Sequence, residues 1–190
     1  KLKEEIGTDN ILVGKDFRNE NLSERNLAGQ DLTGANLSGQ DLRNVDLTGT
    51  VLRGTDLSNA DLSNKDLEEY NLTGSILVET NLSNANLRYT QFNMAHISNV
   101  DFSSAELWYT QFMEAIIIDS DFSGNRLYST VFGAATITDA DFSYADLSMM
   151  KTNNEIMYKK MEIDLDKFDT HPDELDYTTL VAKINDIVWG

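Results

Sequence analysis

From Leu12 to Leu147 every fifth residue is Leu, Phe or Ile, an unbroken series of 28 positions. Only 41% of the chain is apolar, so chance does not produce that series, and an internal repeat of this kind decides the fold. The other four places in each unit follow rules of their own. The residue before the centre is usually Asp or Asn, as at Asp31, Asn36, Asp41 and Asp46. The residue two before it is often small, as at Ala35, Thr50, Thr55 and Ala60. The residue two after it is often Gly or Asn, as at Gly29, Gly34, Asn59 and Asn64.

A second period, of 20 residues, lies over the first. Phe92, Phe112 and Phe132 form one column of centres, and Phe102, Phe122 and Phe142 form the opposite one. Ile97, Ile117 and Ile137 run between them on one side, and Leu87, Leu107, Leu127 and Leu147 on the other. Thr90, Thr110 and Thr130 repeat in the same way. Sorting by twenties predicts a coil of four pentapeptides, stacked so that like lies on like. A lone pentapeptide cannot bury its Leu, so stability comes from neighbouring coils. Each buried centre contributes roughly 1.5–3 kcal/mol before chain entropy offsets most of it. Seven coils at about 4.8 Å each predict a rod of roughly 34 Å.

These units resemble the A(D/N)LXX signature of the pentapeptide-repeat family, over about three quarters of the chain. The resemblance implies an all-β solenoid, a right-handed quadrilateral β-helix of about seven coils over residues 10–149. It also implies that the centre and the residue two before it point inward. On that reading Lys15, Glu20 and Arg25 break the inward position in the first coil, which predicts a frayed or open end. Lys65 and Tyr70 break it mid-rod, beside Glu68 and Glu69, which predicts a local bulge.

Both ends of a solenoid need covering. Residues 1–9 are a short polar lead. Residues 150–190 lose the period of five and are expected to form a short α-helical cap. Leu180, Ile184, Ile187 and Val188 share one helical face, Pro172 suits a helix start, and Asn154 suits the cap of a shorter helix over 155–161. The alternative is a homodimer interface, since in some family members a C-terminal helical segment joins two rods.

The candidate chemistry is thin. There is no Cys, His96 and His171 are far apart, and no HExxH, CxxC, P-loop or GxSxG occurs. Asp164, Asp166 and Asp169 lack the Gly and closing Glu of a calcium loop. No enzyme activity, cofactor or metal is expected. No run of about 18 apolar residues exists to span a membrane. A cytoplasmic, bacterial protein is expected; because Lys1 and not Met begins the chain, an exported or lumenal one is the alternative.

Charge changes the picture more. Fifteen basic against 32 acidic residues leave a net charge of −17, which repels nucleic acid and favours protein partners. Sorted by side, the residues before the centres place nine acids on two adjacent faces: Asp41, Asp61, Asp101, Asp121 and Asp141 on one, Asp46, Asp66, Glu106 and Asp146 on the next. Some pentapeptide-repeat proteins are similar to duplex DNA in shape and charge and regulate type II topoisomerases, by gyrase inhibition or quinolone protection. The resemblance therefore implies a DNA-mimicking alternative to a plain binding scaffold. The plainer reading is that Asp is the consensus residue there and keeps the rod soluble. Those relatives tend to carry Cys at the small position and Phe at most centres, whereas this chain has no Cys and Leu dominates its first half.

Two further patches stand out. Tyr89 and Tyr109 are one coil apart, as are Trp108 and Tyr128, with Arg88 adjoining; Trp, Tyr and Arg together are typical of an interface hot spot. This is the expected partner-binding surface, unless Met149, Met150, Met157, Tyr158, Met161 and Phe168 fold back as a lid. Ile76, Val78, Ile116 and Ile118, with His96 between, form an apolar stripe on another side. It suits either a partner or plain pairing of β-branched side chains.

Overall fold

The repeat is held locally by the residue before each centre. The side-chain oxygen of Asp31, Asn36, Asp56, Asp61 and Asn71 accepts the backbone N–H two residues on, at 2.9–3.0 Å. This Asx-type turn suits Asp and Asn equally, which is why the two alternate freely there. A second turn bond runs from the residue after the corner back to the centre's carbonyl, as from Ala35 N–H to Leu32 at 2.8 Å. The corner itself has positive φ. Gly34 and Gly54 (φ 67° and 65°) take it without strain.

The computed structural model describes residues 12–23 and 25–146. Every backbone ladder between coils is parallel and offset by 20 residues, as in Asp41 to Asp61 and Asn71 to Gln91. The coil therefore has four sides of five residues, as the column sorting requires. One side becomes true strand: β1 (Ile76–Val78), β2 (His96–Ser98), β3 (Ile116–Ile118) and β4 (Thr136–Thr138), a parallel sheet in that order. Earlier coils place Asp16, Asn36 and Asp56 at that site. From Ile76 onward it lacks an Asx acceptor and is rich in β-branched residues at both outward and central places, which favours extended backbone.

Every centre from Phe17 to Phe142 is at most 3% exposed. Phe92, Phe112 and Phe132 stack at 5.1 and 4.9 Å, and Phe102, Phe122 and Phe142 at 4.6 and 4.9 Å. The two columns meet edge to face near 6 Å, for instance Phe102 against Phe112 at 5.9 Å. Small inward residues fill the remaining space, and their hydroxyls are satisfied. Thr90, Thr110 and Thr130 donate to the carbonyls of Leu67, Leu87 and Leu107 in the coil before, at 2.7–2.8 Å.

At Lys65 and Tyr70 the ladder runs on through Asp66 to Asn86 and Asn71 to Gln91, but among the described residues no bridge joins Asp46 to Asp66 or Val51 to Asn71, so regular pairing is interrupted where the local bulge is expected. Tyr70 belongs to the same column as Thr90, and its hydroxyl donates to the Leu47 carbonyl, the equivalent acceptor. Lys65 lays its ammonium on the carbonyls of Val45 and Arg43. Tyr70 thus takes the acceptor that Thr90 takes in its own column, whereas Lys65 reaches other carbonyls of the preceding coil. In the first coil no bridge joins Asn21 to Asp41 among the described residues, while the odd residues pair with one another. Glu20 bridges Lys15 (2.9 Å) and Arg25 (2.6 Å), and both cations lie over the Phe17 ring at 4.9 and 5.8 Å. The three charged residues cover the terminal Phe. The lead over residues 1–9, the segment 150–190 with its Leu180, Ile184, Ile187 and Val188 face, and the Met-rich lid lie outside the described residues.

Candidate docking site on the lateral face

Three successive coils build the aromatic patch. Each contributes one pentapeptide: Asn86–Thr90, Glu106–Thr110 and Arg126–Thr130. Tyr89 N–H donates to the Trp108 carbonyl at 3.0 Å, and Tyr109 N–H to that of Tyr128 at 2.9 Å, so the rungs are rigidly spaced. Tyr89 and Tyr109 occupy the corner with φ of 59° and 60°. For a non-Gly residue this left-handed conformation costs roughly 1–2 kcal/mol.

The rings follow the rungs. Tyr89 and Tyr109 stack at 4.8 Å with planes 3° apart. Tyr128 meets Tyr109 edge-on at 5.4 Å and Trp108 at 6.2 Å. Arg88 places its guanidinium 5.5 Å from the Trp108 ring and bonds Glu106 at 3.1 Å. That bond to Glu106 raises the Arg88 pKa. The Tyr128 hydroxyl, and then burial, raise that of Tyr109, which keeps its phenol protonated at neutral pH. Tyr89, Trp108 and Tyr128 remain 44%, 38% and 39% exposed, so the aromatic mass faces solvent.

An open hollow of about 510 Å³ lies among Arg88, Tyr89, Trp108, Tyr109, Arg126, Tyr128 and Asp146. All five residues singled out in the sequence line it. Arg126 and Asp146 join them without having been expected there. Their signal is present in the sequence, because they continue the column of Glu106 and flank Tyr128. A second hollow of about 550 Å³ has Asp66, Glu68, Glu69 and Tyr70 among its walls. Glu69 stands one rung before Tyr89 at the same corner, its N–H bonded to the Arg88 carbonyl at 2.9 Å.

In the first acidic column Asp101, Asp121 and Asp141 are successive ladder partners, as are Asp41 and Asp61. In the second no bridge joins Asp46 to Asp66 among the described residues, and Asn86 stands between Asp66 and Glu106. Much of their charge is engaged in the turns. Asp41 accepts both the Arg43 guanidinium, at 2.7 and 2.9 Å, and the Arg43 N–H, which hold its pKa down to about 2. Arg43 also reaches Asp61 at 3.3 Å. The Thr48 N–H lowers Asp46. Asp66 accepts the Asn86 amide at 3.0 Å. Asp146 lines the aromatic hollow and pairs with Arg126 in the ladder. On the strand face Ile76 and Ile116 are 42% and 44% exposed, with His96 between them in register. Among the described residues there is no membrane-length apolar helix and no cluster of His, Cys, Asp or Glu able to hold a metal.

Eight copies of the family pattern described as pentapeptide repeats match residues 31–68 and 66–103. The chain belongs to the pentapeptide-repeat family. No curated protein matches it. Among solved structures, a pentapeptide repeat protein of the Arabidopsis thaliana thylakoid lumen superposes with a TM-score of 0.53 at 24% identity, covering 57% of this chain and 77% of that one. HetL, a pentapeptide repeat protein involved in heterocyst differentiation regulation in the cyanobacterium Nostoc, gives a TM-score of 0.51 at 20% identity, covering 63% and 69%. Another Nostoc pentapeptide repeat protein is 40% identical over 48% of this chain and 73% of its own, with a TM-score of 0.41. The first two superpositions agree with the stacked-coil fold of this pentapeptide-repeat protein.

Proposed function

We propose that this chain is a non-catalytic protein-binding scaffold, a right-handed quadrilateral β-helix whose helical segment 150–190 closes one end. The partner docks on Arg88, Tyr89, Trp108, Tyr109 and Tyr128. One observation carries the reading: four aromatic rings in mutual contact stand around an open hollow, on a flank whose regular repeat does not require them. Aromatic and Arg side chains fixed in this way lose little entropy on binding and bury large area. The test is partner capture from the cell of origin. The Trp108→Ala/Tyr109→Ala double variant is expected to keep its far-UV circular dichroism and lose the partner. Undiminished capture refutes the reading.

A second reading is a DNA-mimicking regulator of a type II topoisomerase. The uninterrupted Asp101–Asp121–Asp141 ladder favours it, since a line of carboxylates suits a groove lined by Lys and Arg. The turn bonds of the same carboxylates already account for Asp at these places, so the scaffold reading ranks first. A supercoiling assay decides: no change in gyrase activity or quinolone sensitivity removes the mimic. Dimerisation through Leu180, Ile184, Ile187 and Val188 is the alternative to that cap, and a monomer in sedimentation at high concentration would remove it.

A further inference from the structure

Along the aromatic shelf the coils bond to one another: Leu87 and Tyr89 donate their N–H groups to Glu106 and Trp108 in the next coil, and Thr90 donates to Leu87 in its own. The shelf faces outward with side chains and not with a strand edge, so recognition falls to those side chains. The shelf offers rings whose tips are polar: tyrosine hydroxyls and the donor-only indole N–H of Trp108. An amphipathic helix would bury those tips against apolar side chains. A polyproline II segment would not, because its carbonyls have no internal partners and point outward. Two rung spacings, set by the 4.8 Å Tyr89–Tyr109 stack, match about three residues of such a helix at roughly 3.1 Å each.

Charge orients the segment. Within the shelf Arg88 is neutralised by Glu106. At its foot, one rung before Arg88 and Tyr89, stand Glu68 and the exposed Glu69, in a chain of net charge −17. Glu68 accepts one bond from the Asn86 amide at 3.0 Å, and a carboxylate has further acceptor positions.

We infer that the aromatic shelf takes an extended, proline-containing peptide segment, with a basic residue of that segment at Glu68 and Glu69. This rests on the shelf being the docking surface proposed above. The test titrates the full chain into a fluorescein-labelled decaproline peptide ending in two arginines, read by anisotropy near physiological salt. Saturable binding is expected, weakened at least about tenfold by Trp108→Ala. Glu68→Gln/Glu69→Gln is expected to weaken it about fivefold, while leaving a decaproline ending in two glutamines unaffected. This second variant changes only surface carboxylates, so it keeps the test open should the Trp variant misfold. Absence of binding overturns the inference, as does equal binding of a peptide with alanines for prolines. If the Trp108→Ala/Tyr109→Ala variant loses its cellular partner but the decaproline fails to bind, the docking surface stands and the peptide class is wrong. If that variant keeps its partner, the docking surface itself fails.

Discussion

The coils up to about residue 75 and those after it share one backbone and differ in what they hang on it. In the early coils the centres are Leu with few exceptions, and seven of the positive-φ corners are Gly: Gly14, Gly29, Gly34, Gly39, Gly49, Gly54 and Gly74. In the later coils, from Phe92 on, two columns of centres are stacked Phe, one is Ile and one stays Leu, and Gly124 is the one Gly found there with positive φ among the described residues. Its place elsewhere is taken by Tyr89, Met94, Tyr109, Glu114 and Asp119, among others. A Gly corner is unstrained and bare. A Tyr corner is strained and presents a ring. The early corners are thus mostly unstrained, and the later ones combine strain with an outward side chain.

The comparison can be broken first in the core. Leu52 and Phe112 belong to the same column, and Phe112 touches rings above, below and on both edges. Phe112→Ala should cost about 3–5 kcal/mol. It should exceed Leu52→Ala by the ring–ring contribution, about 0.5–1.5 kcal/mol per pair. Urea midpoints measure both, and equal costs would deny the later coils a distinct core. Next comes display. Trp108→Ala should lower partner affinity by about 2 kcal/mol or more, whereas Val13→Ala, at an exposed place in the first coil, should change neither affinity nor stability beyond about 0.5 kcal/mol.

The corners give a smaller, reciprocal pair. A Cβ on Gly54 would meet only ordinary contacts at 3.9–4.0 Å, so Gly54→Ala isolates the φ penalty and should destabilise by about 1–2 kcal/mol. Ala134, exposed at φ 56°, should gain up to about 1 kcal/mol on Ala134→Gly. Thermal melts that move both variants the same way would contradict the strain argument.

The periodic features are legible in the order of the residues alone. The Phe columns, the Thr ladder and the membership of the aromatic patch all follow from sorting residues by twenties, because position modulo the coil length decides which side chains stack. What the pattern leaves open is the partner of a long polar side chain that meets backbone or another charge. Nothing in the one-letter pattern says that the Tyr70 phenol can take the carbonyl used by Thr50 and Thr90, or that Lys15, Glu20 and Arg25 close over Phe17. Those outcomes depend on reach, which periodicity does not encode. Arg126 and Asp146 are hidden for a different reason: sorting by side puts each in a charge column, and their place beside Tyr128 shows only when neighbouring positions within a unit are compared as well.

The smallest expected effect is electrostatic and lies in the early coils. Arg18 and Arg43 hold Asp16 and Asp41 at about 2. Because the folded value is depressed, their stabilisation is present above the ordinary carboxylate range and fades as pH falls towards 2. Arg43→Ala should return the Asp41 titration towards the usual range, followed by NMR, with little change in melting at neutral pH, as befits a solvent-exposed pair.

The central claim is that contact centres on the aromatic shelf of the later coils and not on the first coils of the rod. Installing a photo-crosslinking amino acid at Tyr128 and, separately, at the exposed Val13, and irradiating in the cell of origin, asks this directly. Partner adducts at position 128 and none at position 13 are predicted. Adducts at 13 alone, or equally at both, would contradict the account.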